Sequence, residues 1–265
     1  MNGRRLALVV LLILAAASPA LAADPMFSLS SSVNVSRGDY GTGHDSTLVY
    51  VPVTLGVTPL ERVKVSLTIP YIYQSSGDVV ITGGGVAARK GVTKRTHTTS
   101  IRESESGLGD ILLKGEYVLL KETDVLPEIA TSLKIKLPTA DKDRGLGTGE
   151  FDETVGAGLS KTFMERYTAF VDLFYTFIGS PPGANLDNSF GWDIGAAYQI
   201  TKPLSVFGSL EGSTAIAPGQ ADPLELRFGA EYKLTSTFKL TGSVTKGLTD
   251  GAADYGFGLG FGWRF

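Results

Sequence analysis

DYGFGLGFGWRF, residues 254–265, closes the chain. Tyr255, Phe257, Leu259, Phe261, Trp263 and Phe265 fall on every second position, and Gly256, Gly258, Gly260 and Gly262 alternate with them. Successive side chains of a β-strand point to opposite faces, so this stretch presents one face of large apolar groups and one that is almost bare. The same period of two recurs along the chain in twelve segments, at about 26–37, 47–57, 63–73, 111–119, 129–137, 155–163, 167–177, 190–200, 204–210, 224–234, 238–244 and 255–265.

Alternation suits a soluble sandwich and a membrane barrel alike, because both have one apolar face. Two further patterns favour the barrel. The connectors after even-numbered segments are short, such as Met164 to Arg166 and Thr201 to Pro203, while those after odd-numbered segments are mostly longer and rich in Gly, Asp and Pro. That is the periplasmic and extracellular asymmetry of an outer-membrane barrel. The aromatics also sort into two belts. Tyr71, Tyr73, Tyr175, Phe177, Phe190, Trp192 and Tyr255 fall near the outer ends of the segments. Tyr117, Phe163, Tyr167, Tyr198, Tyr232, Phe238, Trp263 and Phe265 fall near the inner ends. Amphipathic rings prefer the two membrane interfaces. The expected fold is therefore all-β: a transmembrane antiparallel up-and-down β-barrel of about twelve strands, one domain over residues 24–265. Pro52 and Pro70 lie inside segments, where each removes a ladder donor; local bulges are expected there, or else shifted strand boundaries.

The N-terminus supplies an address. Arg4 and Arg5 precede an apolar run from Leu6 to Ala17, followed by Ala20-Leu21-Ala22, which reads as a cleavable signal peptide over residues 1–23. Its removal leaves 22 Lys+Arg against 27 Asp+Glu, a net charge of −5. A mildly acidic chain offers no footprint for nucleic acid, and with no Cys it has no disulfides to rely on. Mean hydropathy is slightly positive, yet the apolar residues after position 23 are dispersed rather than gathered into a run of the roughly 20 a transmembrane helix needs.

The parity opposite the apolar one should face the lumen. It carries Lys64, Asp110, Lys114, Glu116, Lys134, Lys136, Asp172, Asp193, Glu211, Glu225, Arg227, Glu231 and Lys239, the expected pore-lining residues, with Glu128, Lys233 and Arg264 toward the ends. Eight acids balance eight bases, which argues against a strongly ion-selective pore. The same residues could equally brace or plug the interior with salt bridges. Strands ~4.8 Å apart and tilted ~40° give twelve strands a backbone radius of about 12 Å, between the filled small barrels and the open large ones. Phe170, Phe174 and Phe207 share the inward parity, either as a greasy track for an apolar solute or as simple packing.

Other motifs are weak. Gly145, Gly147 and Gly149 are followed by no Lys-Ser/Thr and no helix, as a phosphate cradle would require. Asp141 and Asp143 begin like a calcium loop, but Gly145 and Leu146 break the ligand spacing. His44 and His97 both fall in expected outer loops, and only His44 near Ser46 approximates a catalytic pair, which suits an ordinary turn as well. No cofactor or metal is expected. The longest loop, 74–106, combines Gly83-Gly84-Gly85 with Arg89, Lys90, Lys94, Arg95 and Arg102. Folded inward it could constrict the pore; outside, its bases could contact lipopolysaccharide.

GLGDILLKGEYVLL (107–120) and LKIKLPTADKDRGLGTGEFDETVGAGLSK (133–161) resemble the bacterial outer-membrane proteins named for the MetA pathway of phenol degradation, most strongly over about 107–178. The resemblance implies a monomeric outer-membrane channel, with hydrophobic or aromatic compounds among its candidate solutes, and carries no catalytic residues. The leading expectation is passive passage of a small solute. The alternatives are a plugged structural or recognition barrel and, behind it, a lipid-modifying membrane enzyme. Expected partners are outer-membrane lipid, lipopolysaccharide, the solute and the barrel-assembly machinery, for which Trp263 and Phe265 resemble the C-terminal recognition signal.

Overall fold

The structure, a computed structural model, describes residues 26–75, 79–83, 85–88 and 104–265. The expected signal peptide, His97 and the basic cluster from Arg89 to Arg102 lie outside the described residues. The strands are β1 (Met26–Gly38), β2 (Ser46–Leu60), β3 (Val63–Gln74), β4 (Val79–Thr82), β5 (Gly85–Ala88), β6 (Glu105–Leu108), β7 (Ile111–Leu120) and β8 (Glu128–Leu137). They continue as β9 (Asp152–Phe163), β10 (Tyr167–Phe177), β11 (Ser189–Gln199), β12 (Leu204–Ser213), β13 (Leu224–Lys233), β14 (Phe238–Gly247) and β15 (Tyr255–Arg264).

Every consecutive wall strand pairs antiparallel with the next, β15 pairs with β1, and β2 pairs with both β1 and β3, so the sheet closes on itself. Closure leaves no unpaired edge, which is the condition for placing strands in lipid. Of thirteen strands in this sheet, β6 and β7 lie end to end along β3, so the wall is twelve strands round. β4 and β5 form a separate hairpin inside the long β3–β6 connection. The apolar parity looks outward: Phe257 is 58 % exposed and Leu259 73 %, as lipid-facing residues are in the isolated chain. Both aromatic belts are present on this face, with Tyr167 stacked on Tyr198 at 4.8 Å and Trp263 beside Phe265 at 4.9 Å at the inner end.

Two departures from the alternating pattern have local causes. Leu108 pairs with Tyr71 and Leu112 with Thr68, so four residues of one strand advance against three of β3. This bulge at Gly109–Asp110 flips the parity, which is why the alternation is legible only from Ile111 onward, and it turns Asp110 into the lumen. The prolines are not bulges: Pro52 and Pro70 stand directly opposite each other in an unshifted register, and the only shift between β2 and β3 falls between Val57 and Leu60. Pro70 O accepts from Gly109 N at 2.8 Å, so the backbone of Pro70 faces the β6–β7 junction, away from β2. On the other side, pairing of β2 with β1 lapses between Val53 and Tyr50, next to Pro52. Each missing donor thus falls where the neighbouring ladder is already open.

Glycines on the inner face make room for rings. Phe170 is paired with Gly195 and Phe207 with Gly229, and a Cβ on either glycine would collide with the facing ring. The rings lie flat on the wall rather than across the lumen, so Phe170 and Phe207 are packing residues of the barrel lining.

Candidate functional site

The inward faces define one lumen, and its charged residues separate into two kinds. The first kind is wet. Lys64 and Lys114 both reach Glu116, at 3.5 and 2.9 Å; Arg227 meets Glu211 at 3.0 Å and Lys239 meets Glu231 at 2.6 Å. Asp172, Asp193, Glu225 and Lys134 are half-buried on the same inner surface. Ion pairs of this exposure contribute little to stability, on the order of 0–1 kcal/mol each, so they are free to serve another purpose.

The second kind is a dry hub beneath the outer loops. Lys136, Asp110 and Asp152 have side chains 2, 5 and 0 % exposed. The Lys136 ammonium contacts Asp110 Oδ2 at 2.8 Å and Asp152 Oδ2 at 3.3 Å, and donates to Thr148 Oγ1 at 3.1 Å and Glu150 O at 2.8 Å. The carboxylates hold backbone in turn. Asp110 Oδ1 accepts from Ala140 N at 2.8 Å, Asp152 Oδ2 from Gly83 N at 2.6 Å and Asp152 Oδ1 from Gly179 N at 2.8 Å. One buried lysine therefore fastens the β8–β9 loop, the inserted hairpin and the β10–β11 loop to the wall. Asp110 and Lys136, expected on the pore surface, are buried here in an ion-pair hub that also borders the second cavity. Asp152 was missed as a site residue; it shares the inward parity of Thr154, just ahead of the sixth segment, and the adjacent Glu153 obscures the pattern.

The described hairpin of the long outer loop, β4–β5, folds inward. Lys134 Nζ donates to Gly83 O at 3.0 Å, so Lys134 and Asp152 grip the carbonyl and amide of the same glycine. Ile81 packs beside Leu48, Ile72 and Leu146, and Val79 packs with Tyr40 and Ala253 from two other outer loops. Gln220 Nε2 donates to Tyr40 O at 3.0 Å, drawing in the β12–β13 loop. Burial pushes the Tyr40 hydroxyl up to about 12, despite its hydrogen bond to Ser36 at 2.8 Å. Among the described residues, cavities of about 400 and 560 Å³ are both lined by Gly83 and Lys134. The first is bordered by Asp193, Glu211, Glu225, Phe174 and Ile216; the second by Asp110, Lys136, Leu112, Tyr50 and, from the far wall, Arg227.

The remaining motifs resolve into structure. Asp141 Oδ1 accepts from the amides of Asp143 at 3.0 Å and Arg144 at 3.2 Å, so the calcium-like sequence forms a carboxylate-capped turn. Arg144 then pairs with Glu105 at 2.8 Å, a contact the alternation could not show because Glu105 lies beyond the bulge. Ser46 is fully buried whereas His44 is exposed, so the two do not present a nucleophile and a base together at the rim.

The family described as "Putative MetA-pathway of phenol degradation" matches residues 15–265. The chain belongs to that family. As a member of the phenol-degradation MetA family it shares its fold with solved outer-membrane proteins. The COG4313 outer membrane channel from Pseudomonas putida F1 is similar at TM-score 0.64 and 14 % identity, over 94 % of this chain and 97 % of that one. The NanC porin is similar at TM-score 0.54 and 8 % identity, over 89 % of this chain and 100 % of that one. The KdgM porin is similar at TM-score 0.53 and 8 % identity, over 90 and 99 %. At these identities the likeness is one of fold, that of a closed outer-membrane barrel, and the contents of the lumen are this family member's own.

Proposed function

We propose that the protein is a passive outer-membrane channel for a small solute, exported through a cleaved signal peptide and active as a monomer without a cofactor. The observation that carries this reading is the lumen itself: a closed wall with wet, charged inner faces and two cavities separated by an inserted hairpin. A barrel filled for stability alone has no need to leave so many charges partly exposed on its inner face. That the similar solved proteins are titled channel and porin supports the same reading. The inserted hairpin acts as the constriction, and Lys64, Lys114, Glu116, Lys134, Asp172, Asp193, Glu211, Glu225, Arg227, Glu231 and Lys239 form the lining. Among hydrophobic or aromatic solutes only small ones suit it, because the lining phenyl rings of Phe170 and Phe207 lie against glycines within a polar surface.

Planar-bilayer recording of the refolded mature protein tests the proposal. Discrete conductance steps are expected, and a membrane that stays closed at all voltages would sink it. The hub of Lys136, Asp110 and Asp152 favours a second reading, a plugged barrel that conducts nothing until the loops are released. That reading predicts a silent wild type and conductance only in the Lys134→Ala/Lys136→Ala double variant.

A further inference from the structure

Within the mixed charges of the lumen, two rows of like charge run across neighbouring strands. Asp172 stands directly opposite Asp193, Asp193 opposite Glu211, and Glu211 opposite Glu225, one carboxylate on each of the consecutive strands β10 to β13. On β7 and β8, Lys114 stands directly opposite Lys134. Like charges placed opposite each other on one sheet face are destabilising; the lysines are offset by Gly83 O and Glu116, while the acidic row has far fewer partners than charges. Arg227 pairs with one member of the acidic row, Glu211, at 3.0 Å. Along the wall β8 and β13 are five places apart out of twelve, nearly facing.

The first cavity brings the two rows to one space. Its roughly 400 Å³ are bounded by Lys134 from the basic side and by Asp193, Glu211 and Glu225 from the acidic side. A cleft with low-dielectric walls concentrates the field between such groups.

We propose that this cavity takes a small zwitterion, a solute carrying both an ammonium and a carboxylate, with the ammonium toward the acidic row and the carboxylate toward Lys134. The proposal rests on the channel reading and names its solute class. An anion is repelled by three carboxylates, a cation leaves Lys134 unmatched by the solute, and an uncharged solute gains from neither wall. Only a dipolar solute is favoured at both.

Liposomes carrying the mature protein would be tested for uptake of glycine, its uncharged isomer glycolamide, ethanolamine and glycolate. Glycine is expected to enter about fivefold faster than glycolamide, the factor expected from one weak, hydrated charge contact. It should also lead both ions. The lead over glycolamide should vanish in Lys134→Gln and in Asp193→Asn/Glu225→Gln, with folding followed by heat-modifiable gel mobility. If a variant does not fold, the wild-type ranking alone decides. Ethanolamine entering as fast as glycine, or all four solutes entering alike, overturns the zwitterion proposal and leaves the channel intact. No uptake of any of the four removes the channel reading and this one with it.

Discussion

Lys136 shows how far one side chain reaches in this barrel. Removing one partner of a buried ion pair leaves an uncompensated charge and costs about 3–5 kcal/mol. Lys136→Met strands Asp110 and Asp152, so its unfolding midpoint in guanidinium should fall by that order and proteolysis of the 138–151 loop should accelerate. A variant as stable and as resistant as wild type would mean the hub carries no load. Two other groups give the protein opposite pH limits. The Thr162 amide, donating at 2.7 Å, and Lys161 hold the Glu122 carboxyl below its usual range, in the inner turn between β7 and β8. A depressed carboxyl stabilises above its unfolded value and ceases to do so as pH falls through the folded one. Hydrogen exchange in the 121–127 turn should therefore rise on acidification below the ordinary carboxylate range. Tyr40 has the opposite sign. Its neutral hydroxyl is favoured up to about 12, so its contribution is complete below pH ~10 and lost as pH climbs from there to about 12. Phenolate absorbance for Tyr40, isolated by comparison with Tyr40→Phe, should appear only near the top of that window.

Strands and turns carry their own tests. The β9–β10 hairpin turns on Met164 and Glu165, both left-handed at φ 51° and 57°, closed by Arg166 N to Phe163 O at 3.1 Å. The two central residues of this 163–166 turn both have positive φ, a conformation that Asn-Gly fits better. Replacing Met164-Glu165 by Asn-Gly should raise stability by about 1 kcal/mol or more, read by denaturant titration, since the left-handed region is costly for residues with a Cβ. Gly229 lies under Phe207, so Gly229→Val should cost about 1–3 kcal/mol through overpacking. The paired variant Gly229→Val/Phe207→Ala should recover part of that loss. The closing strand gives the last test. Phe27 and Phe265 exchange two backbone hydrogen bonds of 2.9 Å each, with rings 6.1 Å apart. Deleting Phe265 should lower the fraction assembled in cells, both through that lost pair and through the proposed recognition signal at Trp263 and Phe265. Refolding in detergent separates the two causes, because it depends on the pair alone.

At the level of the whole barrel, the described outer loops converge over the lumen and the inner end is a ring of short turns. Tyr40, Val79 and Ala253 come from three connections far apart in sequence and meet over the lumen. Together with the grip of Lys134 and Asp152 on Gly83, this makes the outer mouth the narrow part of the route in the proposed channel. Lys134→Ala, which releases one side of the hairpin, should increase single-channel conductance and its noise; an unchanged trace would move the constriction elsewhere.

The strand count, the lipid-facing residues and the sidedness of the barrel were legible in the chain because each depends on a local rule: side chains alternate, lipid accepts only apolar groups, and inner turns are short. The reading DYGFGLGFGWRF suggested is the one the closed sheet adopts, with β15 between β14 and β1. The lumen was legible only as a set of charges, balanced in number. Which charges are dry and structural, and which are wet and face one another, follows from register and from loops that return through the barrel, and those are set by contacts between residues far apart in sequence. Lys134 and Lys136 sit two positions apart on one face, yet Lys134 borders both cavities while Lys136 borders the second alone and is held in a buried ion-pair hub beneath the loops. Their difference comes from Asp110 turned by a bulge and Asp152 arriving from the next strand, which no pattern of period two can express.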